Sequence, residues 1–249
     1  MHRLMTSAAF ILAASAASAE IVSETFEYEV GGTTFQGHVA YNSDLPETRG
    51  TVVILHDWDG LTDYEVRRAE MLAALGYTGV AIDVYGRGSR PTSMEENQQM
   101  SGALYGDRSL FQERLTGSID AAAALDSATD EMVMIGYCFG GAGVLEAARA
   151  GTDLAGYVSF HGGLGTPEGQ DYSQTSAPVL LLHGSADPVS GMSDLAAVLD
   201  ELQAAGVEHD AQVFGGARHS FTVWGSDDYD VAADQGSWTA LQMFLDETF

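Results

Sequence analysis

Two rhythms of apolar residues alternate along the chain. Thr51 to Leu55 and Met132 to Tyr137 are nearly unbroken β-branched and apolar runs, the pattern of strands buried on both faces. Between them, apolar positions recur at helical spacing from about Asp63 to Leu75, where Gly76 ends the run, and from Ser109 to Leu125. The alternation continues with strands predicted at Gly79 to Asp83, Ala155 to Phe160, Val179 to His183 and Ala211 to Phe214. Helices are predicted at Gly141 to Ala150, Ser193 to Ala205 and Ala233 to Glu247. Tyr85 to Gly106 holds polar residues, glycines and Pro91, and reads as a loop with at most one short helix. Ahead of this series, Thr25 to Val30 and Thr34 to Ala40 alternate apolar and polar residues around Gly31-Gly32, an antiparallel hairpin at a sheet edge. Repeated strand and helix with apolar strands predicts an α/β fold: a mostly parallel central sheet with helices on both faces.

The first 19 residues break the rhythm. Arg3 is followed by an apolar stretch from Leu4 to Ala14 and by Ala17-Ser18-Ala19, the pattern of an export signal cut after Ala19. The stretch is too short to span a bilayer. Residues 20–249 then form a single domain in an exported chain, periplasmic or secreted, with no membrane attachment after cleavage. Thirty-six acidic residues against ten arginines leave a formal charge of −26, which makes nucleic acid and anionic lipid poor partners. Lysine is absent, so Schiff-base chemistry, a phosphate-cradling lysine and a Ser-Lys dyad are excluded. Cys138 is the single cysteine and no intrachain disulfide can form.

That cysteine sits where the strand at Met132 to Tyr137 turns into a helix, framed by Gly136 and Gly140. A strand-to-helix turn with glycines two residues either side is a nucleophile elbow, the device by which α/β-hydrolases expose a strained nucleophile. Loops at the carboxyl ends of later strands carry Asp187, in His-Gly-Ser-Ala-Asp-Pro, and His219, in Gly-Gly-Ala-Arg-His-Ser-Phe. Nucleophile, acid, then histidine is the chain order of that fold. His161 and His183 precede the aspartate and break the order, so both are assigned structural or supporting roles. A thiolate is the attacking species, and an adjacent imidazole and the N-terminus of a helix favour it. His219 would take the proton, Asp187 would orient its ring, and the backbone N–H groups of Phe139 and Trp58 would face the developing oxyanion. No cluster of metal-ligand type stands out, and no cofactor is expected.

Tyr-Cys-Phe-Gly-Gly at 137–141, Asp-Val-Tyr-Gly-Arg at 83–87, His-Gly-Ser-Ala-Asp-Pro at 183–188 and His-Ser-Phe at 219–221 resemble the dienelactone hydrolase family. The resemblance runs from about Gly50 to the C-terminus. It implies a hydrolase that opens a small ester or lactone through a Cys-His-Asp triad and a thioester acyl-enzyme. It also implies a carboxylate near the thiol that governs its ionisation. Asp57 stands where the family has glutamate, one methylene shorter, and a turn or helix-capping role is the alternative. Of the family's two substrate-binding arginines, Arg87 matches the first and Val223 occupies the place of the second. Tyr85, Phe221, Phe160 and Trp224 are candidate pocket walls, with a place in the core as the alternative. Two readings of another kind compete: a noncatalytic binding protein on the same scaffold, and a thiol redox protein, which would lack a resolving cysteine.

Overall fold

The computed structural model describes residues 20–249; the export signal read at residues 1–19 lies outside the described residues. Eight strands form one sheet in the order β1-β2-β4-β3-β5-β6-β7-β8. A hairpin of β1 (Ile21–Val30) and β2 (Thr33–Asn42) turns at Gly31-Gly32, both in the left-handed region, and β2 joins the sheet antiparallel to β4 (Thr78–Ile82). From β4 onward every pairing is parallel, through β3 (Thr51–Leu55), β5 (Met132–Tyr137), β6 (Gly156–Phe160), β7 (Val179–Gly184) and β8 (His209–Phe214). Helices α1 (Asp63–Ala74), α2 (Met94–Gly106), α3 (Arg108–Ala123), α4 (Phe139–Arg149), α5 (Met192–Ala205) and α6 (Val231–Thr248) fill the connections.

The central strands divide their side chains between two cores. In β3, Val53 and Leu55 enter one cluster with Met134, Val144 and Phe111, whereas Val52 and Ile54 enter the other with Val133, Ile135 and Leu241. All five residues of β3, Thr51 included, are inaccessible. Burying each large aliphatic side chain contributes about 1.5–3 kcal/mol, which makes these strands the anchor of the sheet. None of the described helices is long and apolar enough to cross a membrane.

The segment read as a loop from Tyr85 to Gly106 contains the 13-residue α2. Ser93 caps it by accepting from the Glu96 N–H, but only Ser101 and Leu104 are buried. Almost no apolar stripe exists to betray the helix. The remaining elements lie within a few residues of their expected bounds, with β1 beginning four residues earlier than the pattern indicated.

Helix α4 is buried on every side. Its one carboxylate, Glu146, accepts from Arg108, Arg149, Gln112 and Gln170, so the charge is met by four donors within the fold. This helix carries the residue of greatest chemical interest at its first turn.

Candidate active site

The turn from β5 into α4 is enforced by close approach of backbone. A Cβ on Gly136 would collide with the Gly140 carbonyl, and one on Gly140 with the carbonyls of Leu55 and His56. Cys138 between them takes φ +51 and ψ −109, one of three non-glycine residues with positive φ among the described residues. The strain holds the thiol at the sheet rim, at the N-cap of α4.

Three loops converge there. His219 Nε2 lies 3.0 Å from Cys138 Sγ, and His219 Nδ1 lies 2.8 Å from Asp187 Oδ2. With its Nδ1–H given to the carboxylate, the ring presents a bare Nε2 to the thiol. Asp187 is fixed in turn, since Oδ1 accepts from the N–H groups of Val189, at 2.8 Å, and Ser190, at 3.1 Å. Burial raises the Asp187 carboxyl, but the bond from His219, its positive charge when protonated and the two backbone donors outweigh that, and the net direction is down. Asp187 is therefore a carboxylate at neutral pH.

The thiol itself is held protonated. Burial lifts Cys138 well above the ordinary thiol range, and the neighbouring Asp57 adds to this through its charge and a hydrogen bond. The Phe139 N–H works in the opposite direction and is outweighed. Burial and a second carboxylate thus oppose the thiolate that the imidazole and the helix terminus favour, and the proton leaves when a base takes it. Asp57, short as it is, lies close enough for its charge to disfavour the thiolate. Burial, reinforced by the charge of Asp59, pushes its own carboxyl up to about 6. Its Oδ1 accepts from the Trp58 N–H at 2.5 Å. The second expected oxyanion donor is therefore occupied by Asp57.

Replacing Asp57 by asparagine removes a charge that disfavours the thiolate, so the pH profile of Cys138 alkylation is expected to move to lower pH. Iodoacetamide labelling followed by peptide mass measurement reads this. A profile left in place, or moved upward, would show that Asp57 does not govern the thiol.

The other candidate residues are placed differently. Arg87 turns outward, its Nε 3.1 Å from Glu27 on β1, with both side chains about half exposed, and does not join the triad. The motif sets its position in the chain but not the direction of a long side chain that has a hairpin carboxylate within reach. Phe221 is fully buried between His161 and Phe214 and offers no surface to a ligand. Phe160 packs on Tyr137 in the core, and Trp224 lies over Arg68 and Tyr64. Tyr85 does line the site: its ring stands 5.6 Å from Phe139, and its hydroxyl donates to the Trp58 carbonyl at 2.9 Å.

His183 donates to the Ser190 carbonyl and is structural. Tyr105, which the sequence reading missed, projects from α2 edge-on to Phe139 at 5.3 Å, near enough for Cys138 and Asp57 to influence its phenol. His56 was missed as well. Its Nδ1 donates to the Asp57 carbonyl, its Nε2 accepts from the Val84 N–H, and its ring lies tilted against Tyr85 at 4.6 Å. Among the described residues no group of three or more side chains could hold a metal ion.

The family model described as "Dienelactone hydrolase family" matches residues 35–249. Among solved structures, one titled "m3DLH" superposes with a TM-score of 0.87 at 30% identity, covering 92% of this chain and 99% of its own. A dienelactone hydrolase-like promiscuous phosphotriesterase, P91, from metagenomic libraries superposes with a TM-score of 0.86 at 32% identity, covering 93% and 100%. A putative dienelactone hydrolase from Klebsiella pneumoniae, 18% identical with a TM-score of 0.79 over 90% of this chain and 98% of its own, shares the fold. No curated protein matches.

Proposed function

The chain belongs to the dienelactone hydrolase family, and from that premise we propose that it hydrolyses small, uncharged carboxylic esters or lactones, with Cys138 as nucleophile, His219 as base and Asp187 as its orienting acid. The observation that carries this reading is the relay from Sγ to Nε2 at 3.0 Å and from Nδ1 to carboxylate at 2.8 Å, beneath a strained elbow.

In the proposed reaction, His219 Nε2 takes the thiol proton as sulfur bonds to the acyl carbon, and the carbonyl electron pair moves onto oxygen. The Phe139 N–H faces that oxyanion, and the Trp58 N–H becomes the second donor when the Asp57 carboxyl turns away from it. Collapse expels the alkoxide, protonated by His219, and leaves a thioester. Water, deprotonated by the same imidazole, then attacks the thioester and releases the acid with the thiol restored.

The preference for uncharged substrates follows from the arginines. Among the described residues, Arg49, Arg67, Arg68, Arg87, Arg90, Arg108, Arg149 and Arg218 each pair with a carboxylate, and Arg114 donates to the Val84 and Tyr85 carbonyls. A substrate carboxylate would meet the like charge of Asp57 and Asp59, and the arginine least committed to a partner, Arg90, whose Nη1 makes no hydrogen bond, lies 3.6 Å from Asp83.

Two p-nitrophenyl esters of matched length, one ending in methyl and one in carboxylate, test this. The neutral ester is expected to be favoured in kcat/KM by about tenfold or more, equivalent to about 1.4 kcal/mol of like-charge repulsion. Preference for the anionic ester would overturn the substrate assignment. Failure on both esters, with turnover of peroxide, would replace the hydrolytic reading with the thiol redox one. An uncharged phosphotriester satisfies the same charge argument and is the substrate type for which the phosphotriesterase P91 is named, so it belongs in the same panel.

A further inference from the structure

His161 is a buried imidazole at the site that the triad does not use. His161 follows β6, is inaccessible to solvent and has φ +39, so it is the second of the strained residues. The third, Ser220, adjoins His219. His161 Nδ1 lies 3.2 Å from the Cys138 backbone N, which also donates to the Phe160 carbonyl at 3.1 Å. On its far side, His161 Nε2 lies 2.7 Å from Thr222 Oγ1, on the loop that carries His219. The ring packs edge-on to His219 at 5.4 Å and to Phe221 at 5.1 Å.

This arrangement permits one protonation state. Nδ1 faces an N–H donor and must be bare, so the proton is on Nε2 and is donated to Thr222. A second proton on Nδ1 would be driven against the Cys138 N–H. Burial and the neighbouring His219 both hold the ring neutral, against the attraction of Asp187. Thr222 is anchored from behind: its hydroxyl accepts from Tyr64 at 2.8 Å, the Tyr64 oxygen accepts from Arg68 Nε at 3.2 Å, and Arg68 also donates to the Thr222 carbonyl and to Asp234. The chain of bonds runs from α1, and from α6 through Asp234, into the histidine loop and on to the backbone of the nucleophile.

We propose that His161 is a positioning residue that ties the Cys138 elbow to the His219 loop, setting the sulfur-to-imidazole separation through one bond to each side. The proposal rests on Cys138 as the nucleophile, but alkylation of the thiol reads it whether or not an ester is turned over. The bond to Thr222 can be cut alone, or both bonds together. His161→Asn keeps an acceptor near the place of Nδ1, His161→Phe keeps a ring but neither bond, and Thr222→Val removes the far hydroxyl at nearly constant shape.

Kinetics with a neutral p-nitrophenyl ester, the pH profile of iodoacetamide labelling and thermal unfolding are measured for all three variants. His161→Phe is expected to lower kcat about 100-fold with little change in KM, the cost of a misplacement near 1 Å. Its labelling profile should move to higher pH as the sulfur loses contact with His219. His161→Asn should recover to within about tenfold of the parent and keep the parent profile, because the Cys138 bond survives. Thr222→Val should fall between the two.

His161→Phe at parental rate, or His161→Asn as slow as His161→Phe with the parental labelling profile in both, would overturn the proposal. Should His161→Phe fail to fold, Thr222→Val decides alone, and parental kinetics with a parental profile there would equally overturn it. A parent enzyme inert toward esters, whose labelling profile still moves in His161→Phe, would sink the hydrolytic reading and leave the positioning role standing.

Discussion

Cys138→Ala is expected to lose ester turnover by about 10⁴- to 10⁶-fold, the scale on which removal of an attacking group acts when the rest of the machinery stays in place. The loss is chemical, not structural. The elbow is shaped by the close approach of Gly136 to the Gly140 carbonyl and of Gly140 to the Leu55 and His56 carbonyls, none of which involves sulfur. Removing one buried heavy atom costs about 1 kcal/mol, so the thermal transition should move by only a few degrees. The remaining activity would reflect the Phe139 N–H and substrate binding alone. Initial rates with a chromogenic ester, together with thermal unfolding, check both parts.

Asp187→Asn should cost nearly as much, about 10⁴-fold in kcat, through the tautomer of one ring. Oδ1 of Asp187 accepts from two backbone donors, Val189 N and Ser190 N, which fixes the oxygen of an amide replacement on that side. The NH₂ of asparagine must then face His219 Nδ1. That nitrogen becomes the acceptor, the proton moves to Nε2, and the group 3.0 Å from Cys138 Sγ is an N–H in place of a base. The fold keeps its two backbone bonds and should unfold near the parental temperature. Steady-state kinetics of the purified variant test this; kcat within tenfold of the parent would mean that the carboxylate does not set the tautomer.

The parts of the site legible in the sequence are those dictated by local sterics and chain order. The glycine frame of Cys138 announces a backbone crossing that only glycine permits, and the order Cys138, Asp187, His219 follows from which strands of a parallel sheet present their ends together. The buried strands were equally plain, since β3 and β5 feed two cores and must be apolar on both faces. Helix α2 was hidden because a helix with two buried residues shows no amphipathic stripe, and Tyr105 was hidden with it.

Other features exist only in space. The carboxylate of Asp57 closing on the N–H of the next residue, Arg87 drawn off by Glu27 on a hairpin 60 residues earlier, and His161 reaching from Cys138 to Thr222 leave no mark in spacing or periodicity. The ionisation of the thiol also could not be read from the motif. A helix N-terminus favours the thiolate, yet burial beside Asp57 wins, and that balance depends on how much water the folded site excludes.

The central claim is that the acyl group passes through the sulfur of Cys138. Acid-quenching the enzyme during turnover of a slowly hydrolysed neutral ester and measuring its intact mass, then its peptides, tests this most directly. The account predicts a gain equal to the acyl group, confined to the peptide bearing Cys138, labile to hydroxylamine and missing from Cys138→Ala. Rapid turnover with the acyl group on another residue, or the same adduct in Cys138→Ala, would contradict it.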